Sequence, residues 1–398
     1  GDDSPLAVLS DNYRGLHHFF RQNFSQVTNP PIDSLRETRV MTLNTRLGNL
    51  GNILDEAPDQ CDLLQLSSPM LTTAQFHAMR KYMDDTAGDI DCTFNIADGE
   101  NAMRLAIQRI QTEAEEAVRA GKRHVILSDE NIGPTRAALP MILAAGSVHT
   151  HLIRQKLRTF TSVNVRSGEC LDVHYFAVLI GVGATTVNAY LAEEALADRH
   201  RRGLFADLPL EDVLKRYQKA VGDGLLKVMS KMGISVISSY RGGYNFEAIG
   251  LSRSLVAEFF PGMSSRISGI GLAGIQKKAL EQHQKAFRGN IISLPVGGFY
   301  RYRARSGEGH GHDGRLIHIL QQATEKDAYV TYLKYSEGVR KLPPLHLRDL
   351  LDFRPVSKPI GAEFVESTTE IRKRFVTPGM SLGALAPEAH GTLNVAMN

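Results

Sequence analysis

The chain has 398 residues, 42% of them hydrophobic and 22% charged, the composition of a water-soluble globular protein with room for two or three domains or one large barrel with extensions. A formal net charge of +3 excludes a broad basic footprint for nucleic acid or for an anionic membrane surface, and no apolar run is long enough to span a bilayer. Cys61, Cys92 and Cys170 are odd in number, far apart and without zinc or iron–sulfur spacing, so a reducing, cytoplasmic compartment is expected.

Gly1-Asp-Asp-Ser-Pro5 lacks an initiating methionine, opens no secretory signal, and does not read as a natural start. Asn394 to Asn398 stops inside an apolar run without a cap, so the chain is expected to be an internal piece of something larger. Up to about Leu71 the pattern is irregular. Leu16, Phe19, Phe20 and Phe24 recur at helical spacing and predict a helix with an aromatic face. Asn29-Pro-Pro-Ile-Asp33 forces an extended turn, and Leu47 to Asn52 reads as a loop. His17 and His18 read as packing and surface residues, because no second ligand group stands at helical spacing from them.

From about Asn101 the pattern becomes regular. Met103, Ile107, Ile110, Ala114, Ala117 and Val118 form one helical stripe that Gly121 is placed to end. His124 to Ser128 is a short apolar strand with Asp129 just past its carboxyl end, and Pro134 is placed to start a helix carrying Leu139, Ile142 and Leu143. Arg158 to Val165 alternates as a strand. Val173 to Val182 is apolar nearly all round and predicts a buried helix, and Thr185 to Tyr190 ends another strand. Leu210, Val213, Leu214, Tyr217, Val221, Leu225 and Val228 make the clearest amphipathic helix, which reaches Gly233.

The run Ile234-Ser-Val-Ile-Ser-Ser-Tyr240 is short, apolar and β-branched, which predicts a buried parallel strand. Ser238, Ser239, Arg241 and Asn245 then gather at its carboxyl end around Gly242 and Gly243, where parallel α/β proteins bind ligands. The local sequence alone favours a plain strand-to-helix turn. Gly250 to Phe260 predicts a helix and Arg266 to Ile270 one more strand. The repeated alternation predicts an α/β fold of parallel βαβ units: a modified or incomplete (β/α) barrel first, an open doubly wound sheet second.

After Leu294 come the aromatic and basic run Gly297 to Arg303, a glycine-rich loop around His310 and His312, a helix from Ile317 to about Glu337, and the proline-bearing stretch from Leu342 to Asp352. This reads as a connecting region packed on its neighbours. The organisation expected is an irregular or helical part over 1–100, a barrel-like core over 101–294 and a connecting region from 295 on.

Chemistry is hard to place by spacing. His310 and His312 form a His-x-His pair that no nearby Cys or Glu-x-x-His completes, so a solvated loop is expected. His149, His151 and His174 read as hydrogen-bonded histidines at helix ends rather than ligands. Tyr300-Arg-Tyr-Arg303 has only the composition of a base-stacking surface, and Gly181-Val-Gly183 lacks the third glycine and the preceding strand of a dinucleotide fingerprint. No nucleophile, base and acid set is recognisable from order alone.

Longer stretches carry more. Gly1 to Pro5 with Ala7-Val-Leu9, Phe20-Arg-Gln-Asn-Phe24 with Gln26 to Asp33, and His149-Thr-His-Leu-Ile-Arg154 come first. His174-Tyr-Phe176, Lys231 to Ser235 with Ser239-Tyr-Arg-Gly242, Gly298-Phe-Tyr-Arg-Tyr302, and Thr377 to Leu385 with Pro387-Glu-Ala-His390 follow. In this order, over essentially the whole chain, they resemble the large chain of glutamate synthase, and the wording is most similar to the bacterial NADPH-dependent type. The resemblance implies an enzyme that makes two L-glutamate from L-glutamine and 2-oxoglutarate with reducing equivalents. A glutaminase domain with a nucleophilic cysteine, a central domain, and an FMN-binding (β/α)₈ barrel with a 3Fe-4S cluster are its parts.

By that resemblance the chain is the central domain, with the connecting region ending at 370, plus the entry to the FMN barrel over 371–398. Its partners would be the glutaminase and FMN domains of the same chain and an NADPH-oxidising small subunit, with no nucleic acid and no membrane. The glutaminase cysteine is absent, and the cluster cysteines would lie beyond Asn398. Met380, Ser381, Gly383 and Ala384 would lie along the flavin, whose phosphate later strands would hold. No catalytic residue is assigned. Ser238, Ser239, Arg241 and Asn245 are expected to fix an interdomain contact or bind an anion. Two rival readings remain: an independent barrel enzyme binding an anionic substrate at Ser238–Asn245, and a docking module for an electron-donating subunit through Tyr300–Arg305 and the His310 loop.

Overall fold

The structure, a computed structural model, describes residues 7, 9–10, 12–23, 36, 39–289, 308–311 and 313–398. Backbone contacts divide the chain into one unit of Asp11–Leu294 and another of Gly1–Ser10 with Pro295–Asn398.

In the unit of Asp11–Leu294 the strands in order are β1 (Phe20–Gln22), β2 (Thr45–Leu47), β3 (Leu64–Leu66), β4 (Met70–Leu71), β5 (Ala87–Asp91), β6 (Thr93–Asn95), β7 (His124–Ser128), β8 (Arg136–Ala138), β9 (Ser162–Arg166), β10 (Thr186–Asn188) and β11 (Phe246–Ala248). The helices are α1 (Thr73–Met83), α2 (Ala102–Arg119), α3 (Met141–Arg154), α4 (Val173–Gly181), α5 (Tyr190–Arg201), α6 (Leu210–Met232), α7 (Ile237–Tyr240), α8 (Arg253–Phe259) and α9 (Leu272–Phe287).

Five strands form a parallel sheet in the order β4-β10-β9-β7-β5. From β5 the chain steps one neighbour at a time through α2, α3 and α4 to β10, and β10 pairs back to β4. The two edge strands, β4 and β5, are consecutive in the chain and joined by α1. The α/β expectation and the parallel βαβ units hold, and the sheet is open.

Alternation along the strands explains the two cores. Val125 and Leu127 of β7, Val163 and Val165 of β9, and Val187 of β10 join the large core with α2, α3 and α4. Ile126 points the other way and packs with Leu71, Ala87 and the α1 residues Phe76, Met79 and Met83. Helix α1 thus covers that face of the sheet. A capping box starts it: the Thr72 hydroxyl accepts from the Gln75 N–H, and the Gln75 side chain accepts from the Thr72 N–H. Helix α2 buries Met103, Ile107, Ile110, Ala114 and Val118, the stripe read from sequence.

Several elements differ from the sequence reading. Leu16–Phe19 makes a single 3-10 turn, and Phe20 is already in β1, paired antiparallel with β11, because Phe20 and Ala248 are both buried in that ladder. Phe24 and the Asn29–Asp33 turn lie outside the described residues. Pro134 sits in a turn before β8, and Pro140 instead precedes α3. Ile234–Tyr240 is not a strand: Val236 bridges Thr42 and α7 is one helical turn. Its Ile237 and Tyr240, three residues apart, are the buried residues of the turn, a helical spacing that β-branching masked. Arg266–Ile270 stays irregular, with Ile270 bridged to Leu251. The region up to Leu71, expected to be irregular, supplies β4 to the main sheet.

In the unit of Gly1–Ser10 and Pro295–Asn398, α10 (Gly314–Glu325) packs on α11 (Tyr329–Arg340), followed by α12 (Thr368–Arg372) and α13 (Pro387–Met397). The single helix expected from Ile317 to Glu337 is two, broken at Asp327, which takes φ 46°. His310 is buried rather than solvated, while Tyr300–Arg305 and His312 lie outside the described residues. Leu351, Phe353, Val356, Phe375 and Val376 are all exposed.

Candidate functional site

The segment after α6 is aimed by backbone hydrogen bonds. Gly233 in the left-handed region (φ 70°) ends α6, and the Thr42 N–H donates to Ser235 O while the Ile237 N–H donates to Thr42 O. One turn later the Gly242 N–H donates to Ile180 O and the Tyr244 N–H to Gly181 O, so Arg241 is held against the end of α4. This is the amino end of the sheet, since Thr161 and Thr185 immediately precede β9 and β10. The expectation of a strand's carboxyl end is therefore corrected.

Around Arg241 the structure assembles a cationic pocket. His149 of α3 lies between Gly183 and Gly242. A Cβ at Gly183, whose φ is 120°, would come within 2.3 Å of the imidazole, so only glycine lets the chain pass there. The Arg158 Nε–H donates to His149 Nδ1 (2.8 Å), its Nη1 to Thr161 O (2.7 Å) and its Nη2 to Gly183 O (2.8 Å). Arg241 is half-buried, and its Nε and Nη2 have no hydrogen-bond partner. Both arginines line a cavity of about 170 Å³, together with Arg46, His149, Thr161 and Thr185.

The electrostatics follow from this geometry. Burial pulls Arg158 down to about 10, helped by the like charge of Arg241, and burial pulls Arg241 to about 10 as well. Burial first, then Arg158 and Arg241, push His149 well below its ordinary value. At neutral pH the cationic guanidinium groups of Arg158 and Arg241 stand beside a neutral imidazole whose Nδ1 accepts, leaving the proton on Nε2.

The other predicted residues divide. Ser238 and Ser239 are exposed on α7, and the Asn245 carbonyl accepts from the Asn23 N–H (3.1 Å). His151 pairs with Glu115 (2.7 Å), and His174 Nε2 meets His17 O (3.0 Å), which explains both as structural histidines. Asp129 lies at the carboxyl end of β7 as expected, fully buried, accepting from the Gly168 N–H (3.0 Å) and Ser167 Oγ (3.3 Å). Burial, and then the nearby Glu169, push Asp129 up to about 7.

Sequence reasoning missed the partners at that end. Glu169, raised by its own burial, accepts from the Tyr175 hydroxyl (2.5 Å) and from the Met141 N–H that opens α3 (3.1 Å). Arg166 donates to Glu130 and Asn188 (both 2.6 Å) and lies over the rings of Phe76 and Tyr190. The signal was a polar residue ending each of the three central strands: Ser128, Arg166 and Asn188. Each acid here has donors of its own, which makes the cluster a structural clasp at the strand ends.

Among the described residues no group of three or more His, Cys, Asp or Glu could hold a metal ion. Met380 and Ser381 are exposed in a turn leading into Leu382–Ala384, and a Cβ at Gly383 would meet no atom within 4 Å. This is an open turn. It encloses nothing of an isoalloxazine ring by itself.

Comparison with known proteins follows the same line. The family model for the glutamate synthase central domain matches residues 1–252, and that for a conserved region in glutamate synthase matches residues 310–398. The large chain of NADPH glutamate synthase from Azospirillum brasilense is 70% identical over 398 residues, covering 100% of this chain and 26% of that one. The corresponding large chain from Bacillus subtilis is 38% identical over 401 residues, with 100% and 26% covered. The ferredoxin-dependent glutamate synthase of Spinacia oleracea is 38% identical over 411 residues, with 100% and 25% covered. The chain thus spans about a quarter of the length of these relatives. Matched from its first residue to its last, this chain belongs to the glutamate synthase family.

Proposed function

We propose that this chain is the scaffold between the glutaminase site and the FMN site of a glutamate synthase large chain, and that it helps wall the path of ammonia between them. The whole enzyme converts L-glutamine and 2-oxoglutarate, with reducing equivalents, into two L-glutamate. The 70% identity over the full chain to an NADPH glutamate synthase carries this reading and makes NADPH the preferred ultimate electron donor, delivered through a small subunit. A cytoplasmic location goes with it.

Within this reading 1–100 and 101–294 are the central domain, 295–370 connects, and 371–398 begins the FMN domain. The exposed Leu351, Phe353, Val356, Phe375 and Val376, close together in sequence at 351–356 and 375–376, fit a segment that packs on other domains. FMN would contact Met380, Ser381, Gly383 and Ala384, with its remaining contacts supplied elsewhere. When bound it supplies hydride transfer. The 3Fe-4S cluster is assigned outside this chain, because Cys92 and Cys170 are core residues whose thiols burial pushes up, and Cys61 is exposed and joins no group of metal-ligating side chains among the described residues.

Ser238 and Ser239, exposed beside Asn245, are assigned to the interdomain contact. Placing arginines at both positions in the complete large chain is expected to raise the glutamine hydrolysed per glutamate formed severalfold. An unchanged ratio would remove this turn from the interface.

A further inference from the structure

We propose that the cavity framed by Arg46, Arg158 and Arg241 is a binding site for a small oxyanion, a carboxylate or a phosphate. This site does not depend on the scaffold role of the chain.

Three observations carry it. First, the cavity is lined by three arginines and by no carboxylate, so the positive charge gathered there has no counter-charge among its walls. Second, Arg241 presents buried Nε and Nη2 atoms that nothing in the protein accepts. A buried donor without an acceptor is costly, more so when charged, and the surrounding fold holds it in place all the same. The backbone on either side of it is pinned at Ile237, Ile180 and Gly181, so the guanidinium is not a stray surface group. Third, the neighbours are arranged as donors. Arg158 occupies His149 Nδ1, which leaves the proton on Nε2 of a wall residue. Thr185 Oγ1 already accepts from the Val163 N–H (3.0 Å), so its own hydroxyl proton is available to the cavity. Guanidinium, imidazole N–H and hydroxyl groups among the lining residues of one cavity are the donor types that a two- or three-oxygen anion requires. The volume of about 170 Å³ admits a phosphate or a short carboxylate with its water.

Arg158 also ties Thr161 and Gly183 together, so its replacement would confound folding with binding. Arg241 and the exposed Arg46 give cleaner tests. The 398-residue chain would be titrated calorimetrically with inorganic phosphate and, separately, with malonate, in chloride buffer at fixed ionic strength, and its melting followed under the same conditions. Saturable one-to-one binding of at least one probe is expected, and which one binds distinguishes a phosphate site from a carboxylate site. Arg241→Gln should weaken that binding at least tenfold yet melt no lower than the parent in chloride alone, because an uncompensated buried charge is removed. Arg46→Gln should weaken it severalfold, and Arg216→Gln, an exposed arginine of α6, should leave it unchanged. Absence of saturable binding by both probes, or equal binding by the parent and both pocket variants, would overturn the proposal. A fall in melting temperature of Arg241→Gln in chloride alone would also overturn it, since the guanidinium would then be a structural partner.

Discussion

Asp129 is the residue where solvation and charge oppose the fold most openly. Its carboxyl is raised from 3.8 to about 7, so below pH 4 it is protonated in both the folded and the unfolded chain and has no effect. Between about pH 4 and 7 the unfolded chain ionises and the folded chain resists, so stability falls as pH rises, by up to about 4 kcal/mol for a shift of this size. His17, His18 and His124, each lowered to about 4 with burial the largest cause, act in the opposite sense: their contribution is lost as pH falls from 6.5 towards 4. Asp129→Asn isolates the first effect, because the amide oxygen still accepts from Gly168. Relative to the parent, the urea midpoint of this variant should rise from pH 4 to 7 and level off above. A difference that does not vary with pH would show that Asp129 is ionised in the folded protein. The acid itself was visible in the sequence, one residue past an apolar strand. Glu169 was not, because its role depends on Tyr175 and the start of α3, neither of which spacing places beside it.

Elements were legible where one periodicity dominated. Helices α2, α4 and α6 and strand β7 show clean stripes or uniform apolar runs, and they form where those patterns run. The stretch Ile234–Tyr240 was misread because β-branched residues favour strands, while tertiary bonds from Thr42 and Ile180 settle a bridge and one helical turn instead. Glycines inside helices carried a second hidden message. Gly146 in α3 has the Phe260 ring so near that a Cβ would lie 2.3 Å from Cε1. Helix propensity alone would reward alanine there by about 1 kcal/mol. Overpacking a fully buried ring costs about 1 to 3 kcal/mol, and with the contact this short the upper part of that range applies. Gly146→Ala should therefore lower the chain's stability by about 1 to 2 kcal/mol in chemical denaturation. Phe260→Leu in the same chain should recover part of the loss, and a stabilised single variant would mean that the ring yields freely.

At the scale of the molecule, the unit of Asp11–Leu294 buries nearly all of the core, while the other described unit leaves Phe353 and Val356 fully exposed. Such a surface is costly in water and reasonable on a chain that spans about a quarter of its relatives' length. The family was legible from long stretches of sequence, whereas no single motif announced a chemistry. The parallel sheet carries polar clasps at one end and a cationic pocket at the other. The Met380–Ala384 turn is open.

The measurement that bears most directly on the scaffold role is an FMN titration of the 398-residue chain followed by flavin fluorescence. The account predicts no stoichiometric binding at micromolar protein, with the flavin emission unchanged. Tight one-to-one binding with quenched emission would mean that this chain holds a flavin site of its own, and would contradict the scaffold role.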